Sequence, residues 1–349
     1  MQGKIHLRII CTKMKAIGLE PHQWARALSK YREPITLRSI SELIITLTPF
    51  AFLWGMAWWA LSISNWLALA LAALNALFLV RIFLIQHDCG HGSFFKNRQI
   101  SDWTGRALGV LTLTPYDVWR KTHAIHHAST GNLDRRGTGD IPTLTVREYK
   151  EKSWAGKALY RACRNPVFLF GVAPFYTFFL QNRLPVGLMR SGWEYWISAM
   201  ATNAAIAVAV GLMFWFGGLN VLLLVFLPTM LLASSIGMWL FYVQHQFEET
   251  SWETNEGWQI LDAAMHGSSY YVLPEPLRWF SANIGAHHIH HLASRIPYYR
   301  LPEVLRDHEL LTQCQRLTLL QSFRCARLHL WDEESRKLIS FSNARALYS

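Results

Sequence analysis

The fold of this chain is decided by the stretch from Leu43 to His91, which reads LIITLTPFAFLWGMAWWALSISNWLALALAALNALFLVRIFLIQHDCGH. It is almost wholly apolar as far as Gln86, and its clearest break is the polar turn Ser62–Asn65. A helix needs about 20 apolar residues to cross a bilayer, so the stretch is long enough for two crossings joined by a turn. We therefore predict a hairpin of membrane helices at about residues 43–62 and 66–86.

A second apolar stretch, from Tyr195 to Val243, repeats this arrangement and is broken at Gly217–Asn220. It predicts further spans at about residues 195–216 and 220–243. The chain has 51% apolar and only 16% charged residues, whereas an ordinary soluble domain has about 25% charged residues. Composition therefore favours an all-α integral membrane protein, with four spans in two hairpins and a helical cap outside the membrane.

The basic residues indicate the orientation. Each hairpin returns to the side on which it starts, so residues 1–42, the loop 87–194 and residues 244–349 must share one side. These regions carry 8, 15 and 10 of the 34 Lys and Arg residues, and the hairpin turns carry none. By the positive-inside rule this side is cytoplasmic, and a bacterial inner membrane is the predicted location. Topology and anionic headgroups then explain the net charge of +11, and no motif indicates nucleic-acid binding.

Three regions follow from this topology. They are a cytoplasmic N-terminal segment (1–42), a membrane domain (43–310) and a cytoplasmic C-terminal tail (311–349), and the sequence after about Leu301 favours an amphipathic helix. The segment from Pro166 to Leu180 is aromatic and apolar but shorter than a span and interrupted by proline. We expect it to lie in the membrane interface or to re-enter rather than cross.

Three histidine clusters lie beside the predicted spans: HDCGH at 87–91, HAIHH at 123–127 and HHIHH at 287–291. On a helix, residues three and four apart share one face. Within each cluster this register unites His87, His91, His123, His126, His127, His287, His290 and His291, whereas His288 points elsewhere. Histidine is the commonest metal ligand, and eight ligands are too many for one ion and suit two. A bis-histidine haem, with about two axial ligands, would leave most of the pattern unused.

A ninth ligand is expected from His245 or His266. His245 lies just past the last span, at the membrane depth of the first cluster, and is favoured for that reason. His266 lies one helical turn after Asp262 and is the competing candidate. Asp262, His266 and Asp88 are also candidates to orient the ligands or to hold a water.

In this order, around two membrane hairpins, the motifs resemble the three histidine boxes of the membrane-bound fatty acid desaturases. The resemblance extends through HDCGHGSFF, HHASTGNLDRRGTGDIPTLT, VQHQFEETSW, DAAMHGSSYYVLP and NIGAHHIHHLASRIPYYRL, over roughly residues 40–310. Within that superfamily these stretches are most similar to the acyl-lipid omega-6 (delta-12) type.

The resemblance implies a non-haem diiron centre held by the eight box histidines and by a histidine near the end of the fourth span, matched here by His245. It implies an oxidoreductase that uses O2 and two electrons to place a double bond in an acyl chain of a membrane lipid, with no catalytic side chain beyond the metal ligands. No haem-binding HPGG segment is present, so we expect a separate ferredoxin or small b-type cytochrome to supply the electrons.

Two alternatives share parts of this pattern. The first is a sister reaction on the same diiron site, such as hydroxylation of an acyl chain or hydroxylation or ketolation of a carotenoid. The second is a non-enzymatic membrane protein that binds haem or metal. A carrier should have polar or charged residues within its spans, yet no ionisable residue lies between Leu43 and Arg81. This observation counts against transport.

Overall fold

The computed structural model describes residues 21–348, in which the chain is mostly helical. Residues 1–20 of the predicted N-terminal segment lie outside the described part. The α-helices are α1 (Pro21–Ser29), α2 (Thr36–Ala60), α3 (Asn65–His91), α4 (Arg98–Leu111), α5 (Tyr116–Ser129), α6 (Val146–Glu151), α7 (Trp154–Cys163), α8 (Ala173–Phe175), α9 (Trp193–Val221), α10 (Leu227–His245), α11 (Ile260–His266), α12 (Leu277–Phe280), α13 (His287–Leu292), α14 (Leu301–Asp307), α15 (Leu319–Cys325) and α16 (Phe341–Tyr348). Wider π-helical turns lie at Phe168–Val172, Tyr176–Leu180 and Leu222–Phe226, and short 3-10 turns at Leu133–Arg135, Gln181–Arg183, Tyr298–Arg300 and Glu309–Gln313.

Short β-strands accompany the helices. They are β1 (Leu144–Thr145), β2 (Tyr270–Val272), β3 (Arg316–Thr318), β4 (Leu330–Asp332) and β5 (Lys337–Ile339). One sheet has the order β1-β4-β5, with β1 parallel and β5 antiparallel to β4, and β2 pairs with β3 in parallel. The expectation of an all-α chain is therefore wrong in this detail, because strands of two or three residues are too short to produce a recognisable alternation in the sequence.

Three helical stretches of the described residues are long and apolar enough to cross a membrane: Thr36–Ala60, Asn65–His91 and Trp193–His245. The third has 53 residues, and with a rise of about 1.5 Å per residue it is much longer than one crossing. Gly218 interrupts it with φ 69° and ψ −168°, a conformation that only glycine adopts readily. This break lies in the predicted turn at 217–220. The number of crossings and the side on which the loops lie stay predictions.

The first two long helices extend beyond their predicted ends. α2 begins at Thr36 instead of near residue 43, and α3 continues through the first histidine cluster to His91 instead of ending near residue 86. The early start of α2 includes Glu42, which is 1% exposed. A charged residue is tolerated there because it has a partner on α3.

That partner is Arg81, which is 2% exposed and donates hydrogen bonds to the Glu42 carboxylate and, from Nε at 3.1 Å, to Thr46 Oγ1. The Tyr298 hydroxyl donates to the same carboxylate at 2.9 Å. Because both charges are paired, their desolvation is compensated by direct contacts. The ion pair connects α2 to α3 at Arg81, which precedes the first histidine cluster on α3.

The C-terminal region packs back onto the central loop. Leu330 and Trp331 of β4 pair with Leu144 and Thr145 of β1, and Trp331 is 2% exposed. An amphipathic helix was predicted after about Leu301, and α14 is the α-helix that the structure forms there. It ends at Asp307, and β4, β5 and α16 lie further along the chain. Residues 311–349, predicted as a C-terminal tail, thus bury apolar side chains against a segment far away in sequence, and the boundary of this region stays a prediction.

The aromatic segment at 166–180 is helical with wide turns and packs along α10. Phe170 lies 5.0 Å from Trp239 and 5.2 Å from Tyr242, measured between ring centroids. Val167 is 78% exposed at the outer side of the segment. These contacts agree with an apolar segment that lies against a membrane helix and is too short to be a span itself.

Candidate metal centre

Nine histidines of the described residues converge in two adjacent groups. The five-histidine group contains His87, His91, His123, His127 and His290, and the four-histidine group contains His126, His245, His287 and His291. Within each group the candidate ligand atoms lie within 4.8 Å of one another. The side chains come from α3, α5 and α13 and from the last residue of α10. The structure thus brings together all nine histidines that the sequence singled out as ligands.

The second and third clusters are divided between the groups in opposite ways. α5 places His123 and His127 in the five-histidine group, and α13 places His287 and His291 in the four-histidine group. In each helix the residue one position before the last histidine of the cluster joins the other group; these residues are His126 and His290. The three ligands share one face of the helix, but the two at i+3 and i+4 are consecutive and therefore point in directions about 100° apart. Each helix therefore serves both groups.

The Nε2 atoms in each group are separated by short and similar distances. In the five-histidine group the distances are 3.0 Å for His87–His123, 3.1 Å for His123–His127 and 3.0 Å for His127–His290. In the four-histidine group they are 3.2 Å for His126–His245, 2.9 Å for His245–His287 and 3.1 Å for His287–His291. Imidazole nitrogens lie about 2.0–2.1 Å from a bound zinc-like ion, so two ligands at right angles are about 3.0 Å apart. The spacing therefore fits two metal ions.

Hydrogen bonding does not account for this arrangement. A neutral Nε2 either donates or accepts one hydrogen bond, yet the Nε2 atoms of His123 and His245 each face two others. The buried Nε2 of His91 has no hydrogen-bond partner within the described residues. A buried Nε2 without a hydrogen-bond partner, beside four converging imidazoles, has a lone pair available to bind a metal ion.

Burial also determines the charge of two of these side chains. It holds the pKa of His127 and of His290 well below the usual range, and the neighbouring imidazoles lower both further. Both side chains are therefore neutral near pH 7, which is the form that binds metal. Structural zinc sites are almost always four-coordinate, so five nitrogen donors exceed the number that such a site uses, and imidazole itself suits zinc, copper, iron and nickel.

Two histidines of the four-histidine group have a polar contact at Nδ1, the ring nitrogen that faces away from the group. His126 Nδ1 lies 2.6 Å from Asp140 Oδ1, and His245 Nδ1 lies 3.0 Å from the Gly267 carbonyl oxygen. Such contacts fix the tautomer and the ring orientation of a metal-binding histidine. The neighbour of Asp140, Gly139, has φ 72°, and a Cβ there would lie 3.2 Å from His126 Cβ. Glycine therefore lets the loop approach the ring closely enough for the carboxylate to reach it.

Asp140 was not among the predicted residues. The sequence signal that could have identified it is an acidic residue after two glycines in the loop that follows the second cluster, GTGD at 137–140. Of the predicted supporting residues, Asp88 is placed beside the site, with Oδ1 3.4 Å from His87 Nδ1 and Oδ2 accepting from Tyr298 N at 2.7 Å. It thereby connects the first cluster to the chain after the third.

The remaining candidates lie outside both groups. His266 Nδ1 lies 3.9 Å from Asp262, whose side chain is 66% exposed, and neither residue belongs to the converging sets. His288 is fully buried, and its Nε2 lies 2.8 Å from the Leu311 carbonyl oxygen. The structure therefore separates His288 from its cluster, as its helical register predicts.

An apolar cavity of about 390 Å³ reaches the two groups and is partly lined by His87, His123, His126 and His287. Its walls continue along α3 and α10 to Leu79 and Met230. At about 1.5 Å of rise per residue, Met230 lies about 22 Å along the helix from His245. Cavities of this size commonly hold small organic ligands. The arrangement can thus hold an elongated apolar molecule with one part beside the histidines.

Comparison with known proteins agrees with this geometry. The family model for fatty acid desaturases matches residues 64–319. A fatty acid desaturase of Bacillus subtilis (strain 168) is 41% identical over 327 residues, which cover 94% of this chain and 92% of the relative. An sn-1 acyl-lipid omega-3 desaturase (ferredoxin) of Synechocystis is 28% identical, with 63% and 61% covered. An sn-1 oleoyl-lipid 12-desaturase of Anabaena variabilis is 26% identical, with 71% and 70% covered.

Proposed function

Since the chain belongs to the fatty acid desaturase family and is thus an oxidoreductase, we propose that it desaturates acyl chains of membrane lipids at the omega-6 (delta-12) position. The observation that carries this proposal is the apolar cavity that ends at two groups of histidines. Relatives named as omega-3 and as 12-desaturases both match the chain. The position of the double bond is therefore the finer part of the proposal.

We propose iron for both groups, with the nine histidines as ligands. Two irons held there would supply, with O2, two electrons and two protons, the oxidising power to remove two hydrogens from adjacent carbons, and both oxygen atoms would leave as water. The nine imidazoles would hold these ions, and Asp140 and the Gly267 carbonyl orient two of the rings. Asp88 has the corresponding task for His87.

The cavity would position one pair of adjacent carbons of the acyl chain beside the histidines. Its wall residues Leu79, Phe83, Met230 and Phe241 are apolar and exclude water from the site. Water exclusion protects a reactive centre from side reactions. An acyl chain can enter from the bilayer without crossing bulk water, because the walls belong to helices that are apolar enough to cross a membrane.

The electrons come, in this proposal, from a separate ferredoxin or small b-type cytochrome on the cytoplasmic side. The Synechocystis relative is ferredoxin-dependent by name. The strongly basic composition, with a net charge of +11, favours association with an acidic carrier.

The test is product analysis in a bacterial host that expresses the full chain together with a ferredoxin. Gas chromatography with mass spectrometry, including location of the double bond, is expected to detect a diunsaturated acid with its new bond at the omega-6 position. A new bond elsewhere would retain the desaturase and overturn the position. A hydroxylated acid, or unchanged fatty acids in the presence of bound iron and an active donor, would overturn the reaction or the substrate.

The cavity can be tested separately at Gly237, which lines it and has no atom within 4 Å of where a Cβ would be. In Gly237→Leu the side chain would project into open space and shorten the cavity. We expect conversion of long acyl chains to fall relative to short ones. Gly211→Leu is the control, because Gly211 is equally open but does not line the cavity. An identical product profile in both variants would show that acyl chains do not occupy this cavity.

A further inference from the structure

A second, open cleft lies away from the histidines, between the end of α7 and the C-terminal helix α16. Its volume is about 580 Å³, and its polar lining is formed by Arg161, Arg164, Asn165, His329, Ser342 and Arg345. None of its lining residues lines the apolar cavity beside the histidines, which we call the acyl cavity. No Asp or Glu is among the described residues that line it. Its chemistry is thus strongly cationic and independent of the metal centre.

Arg164 is the unusual residue of this cleft. It is 2% exposed, and its guanidinium donates to carbonyl oxygens of Pro142 and Leu328 at 3.1 and 2.9 Å and to Gln246 Oε1 at 2.8 Å. Its Nε is buried and has no hydrogen-bond partner within the described residues. A buried charge is costly unless an opposite charge compensates it. Arg81, which is also 2% exposed, has such a partner in Glu42.

The other two arginines of the cleft are also without a carboxylate. Arg161 donates from Nε to the Tyr149 hydroxyl at 2.6 Å, and its guanidinium lies 5.1 Å from the Phe341 ring centroid. In the described part of the chain, no ion pair involves Arg161, Arg164 or Arg345. Three positive charges therefore surround one concavity, and its described lining contains no carboxylate to balance them.

The position of the cleft favours a lipid headgroup as the source of the negative charge that would balance these arginines. Pro166 at its edge begins the aromatic segment that packs along α10, and Val167 is 78% exposed. On α7, which carries Arg161, Trp154 is 84% exposed and Leu159 is 67% exposed. Exposed apolar and aromatic side chains next to basic ones are typical of a helix at the membrane interface. These exposed side chains favour a position of the cleft mouth at the membrane interface, where headgroups lie.

We propose that this cleft binds the phosphate group of an anionic phospholipid, at a site separate from the acyl cavity. Arg161, Arg164 and Arg345 supply the charge, and guanidinium groups bind phosphate oxygens through paired hydrogen bonds. Arg164 also donates to the Tyr242 hydroxyl and to Gln246, which flank His245 in sequence. The occupant therefore contacts a residue that holds the end of the helix supplying the ninth histidine.

The experiment is native mass spectrometry of the full chain in detergent, with dioleoyl phosphatidylglycerol, dioleoylglycerol or inorganic phosphate added. We expect each chain to retain one more phosphatidylglycerol than dioleoylglycerol, because dioleoylglycerol offers the same tails to the apolar cavity but has no phosphate. The double variant Arg161→Gln/Arg345→Gln should bind phosphatidylglycerol about thirtyfold more weakly, given what a basic residue contributes near an anionic surface. Both positions are exposed, so this variant avoids disturbing buried Arg164.

The matched control is Arg135→Gln/Arg316→Gln, which removes the same charge from exposed positions outside the cleft. Equal retention of phosphatidylglycerol by both double variants would overturn the proposal, because net charge alone would then explain binding. Retention of dioleoylglycerol as strongly as phosphatidylglycerol would also overturn it. A rise in the unfolding temperature with inorganic phosphate alone, lost in Arg161→Gln/Arg345→Gln, would support the phosphate site and replace the lipid by a free anion.

Discussion

The second and third histidine clusters have the same spacing, HxxHH, but different surroundings. The second lies on α5, a helix of 14 residues, and its second position is the exposed Ala124. The third lies on α13, a helix of six residues, and its second position is the fully buried His288. The lone histidine that each cluster contributes to the other group also differs. His126 Nδ1 lies 2.6 Å from Asp140 Oδ1, whereas His290 has no ion pair with a carboxylate among the described residues. The same spacing therefore fixes the direction of the ligands but not how they are supported.

The two clusters are therefore expected to tolerate substitution differently. A long helix with a carboxylate behind its histidine positions a ligand through local contacts. A short helix depends on the packing of its buried residues, and Ile289 of α13 is fully buried. Variants in the two clusters should thus fail in different ways, and comparison of metal content with protein stability separates these failures.

The largest effect is expected from the two lone histidines. His126→Ala leaves three donors in the four-histidine group, and His290→Ala leaves four in the five-histidine group. We expect both variants to lose activity, with more iron lost from His126→Ala, because fewer ligands remain. Iron per chain, measured by plasma mass spectrometry on membrane-inserted protein, checks the order. Wild-type turnover in either variant would contradict the diiron assignment.

The next effect concerns the ninth histidine, which belongs to neither cluster. His245→Ala should lose activity and the iron of the four-histidine group, because His245 Nε2 lies 2.9 Å from His287 Nε2. His266→Ala is the control and should keep its iron, because His266 lies outside both groups. The same iron measurement on both variants decides the assignment, and the reverse order would move the ligand from His245 to His266.

A smaller loss is expected at the carboxylate that distinguishes the second cluster. Asp140→Asn keeps the shape of the side chain but removes the charge behind His126, and changes of this kind cost about 10–100-fold in metal affinity or activity. Asp262→Asn removes a charge from a side chain that is 66% exposed and pairs only loosely with His266. Titration of the apo-protein with ferrous iron should show weaker binding for Asp140→Asn alone. Equal affinities would mean that the carboxylate does not support the metal.

The sequence alone predicts the histidine faces, because residues three and four apart share one side of a helix wherever the helix lies. It does not predict the division into groups of five and four, which depends on how α3, α5, α10 and α13 are placed. Asp140 was missed because loop residues have no periodic pattern. The sheet of β1 and β4 was missed because its strands are very short and join residues 144–145 to 330–331.

The smallest effect on the metal is expected at His288, the position that distinguishes the third cluster. His288→Ala removes the contact with the Leu311 carbonyl, 2.8 Å from Nε2, and leaves that buried acceptor unpaired, which costs about 1–3 kcal/mol of unfolding free energy. All nine converging histidines remain, so we expect iron per chain and turnover of the folded protein to stay near wild type while the unfolding temperature falls. Thermal unfolding and iron analysis of the same preparation separate the two quantities, and His290→Ala is the contrasting variant. If His288→Ala lost as much iron as His290→Ala, the buried packing of α13 and not its helical register would determine which histidines bind metal.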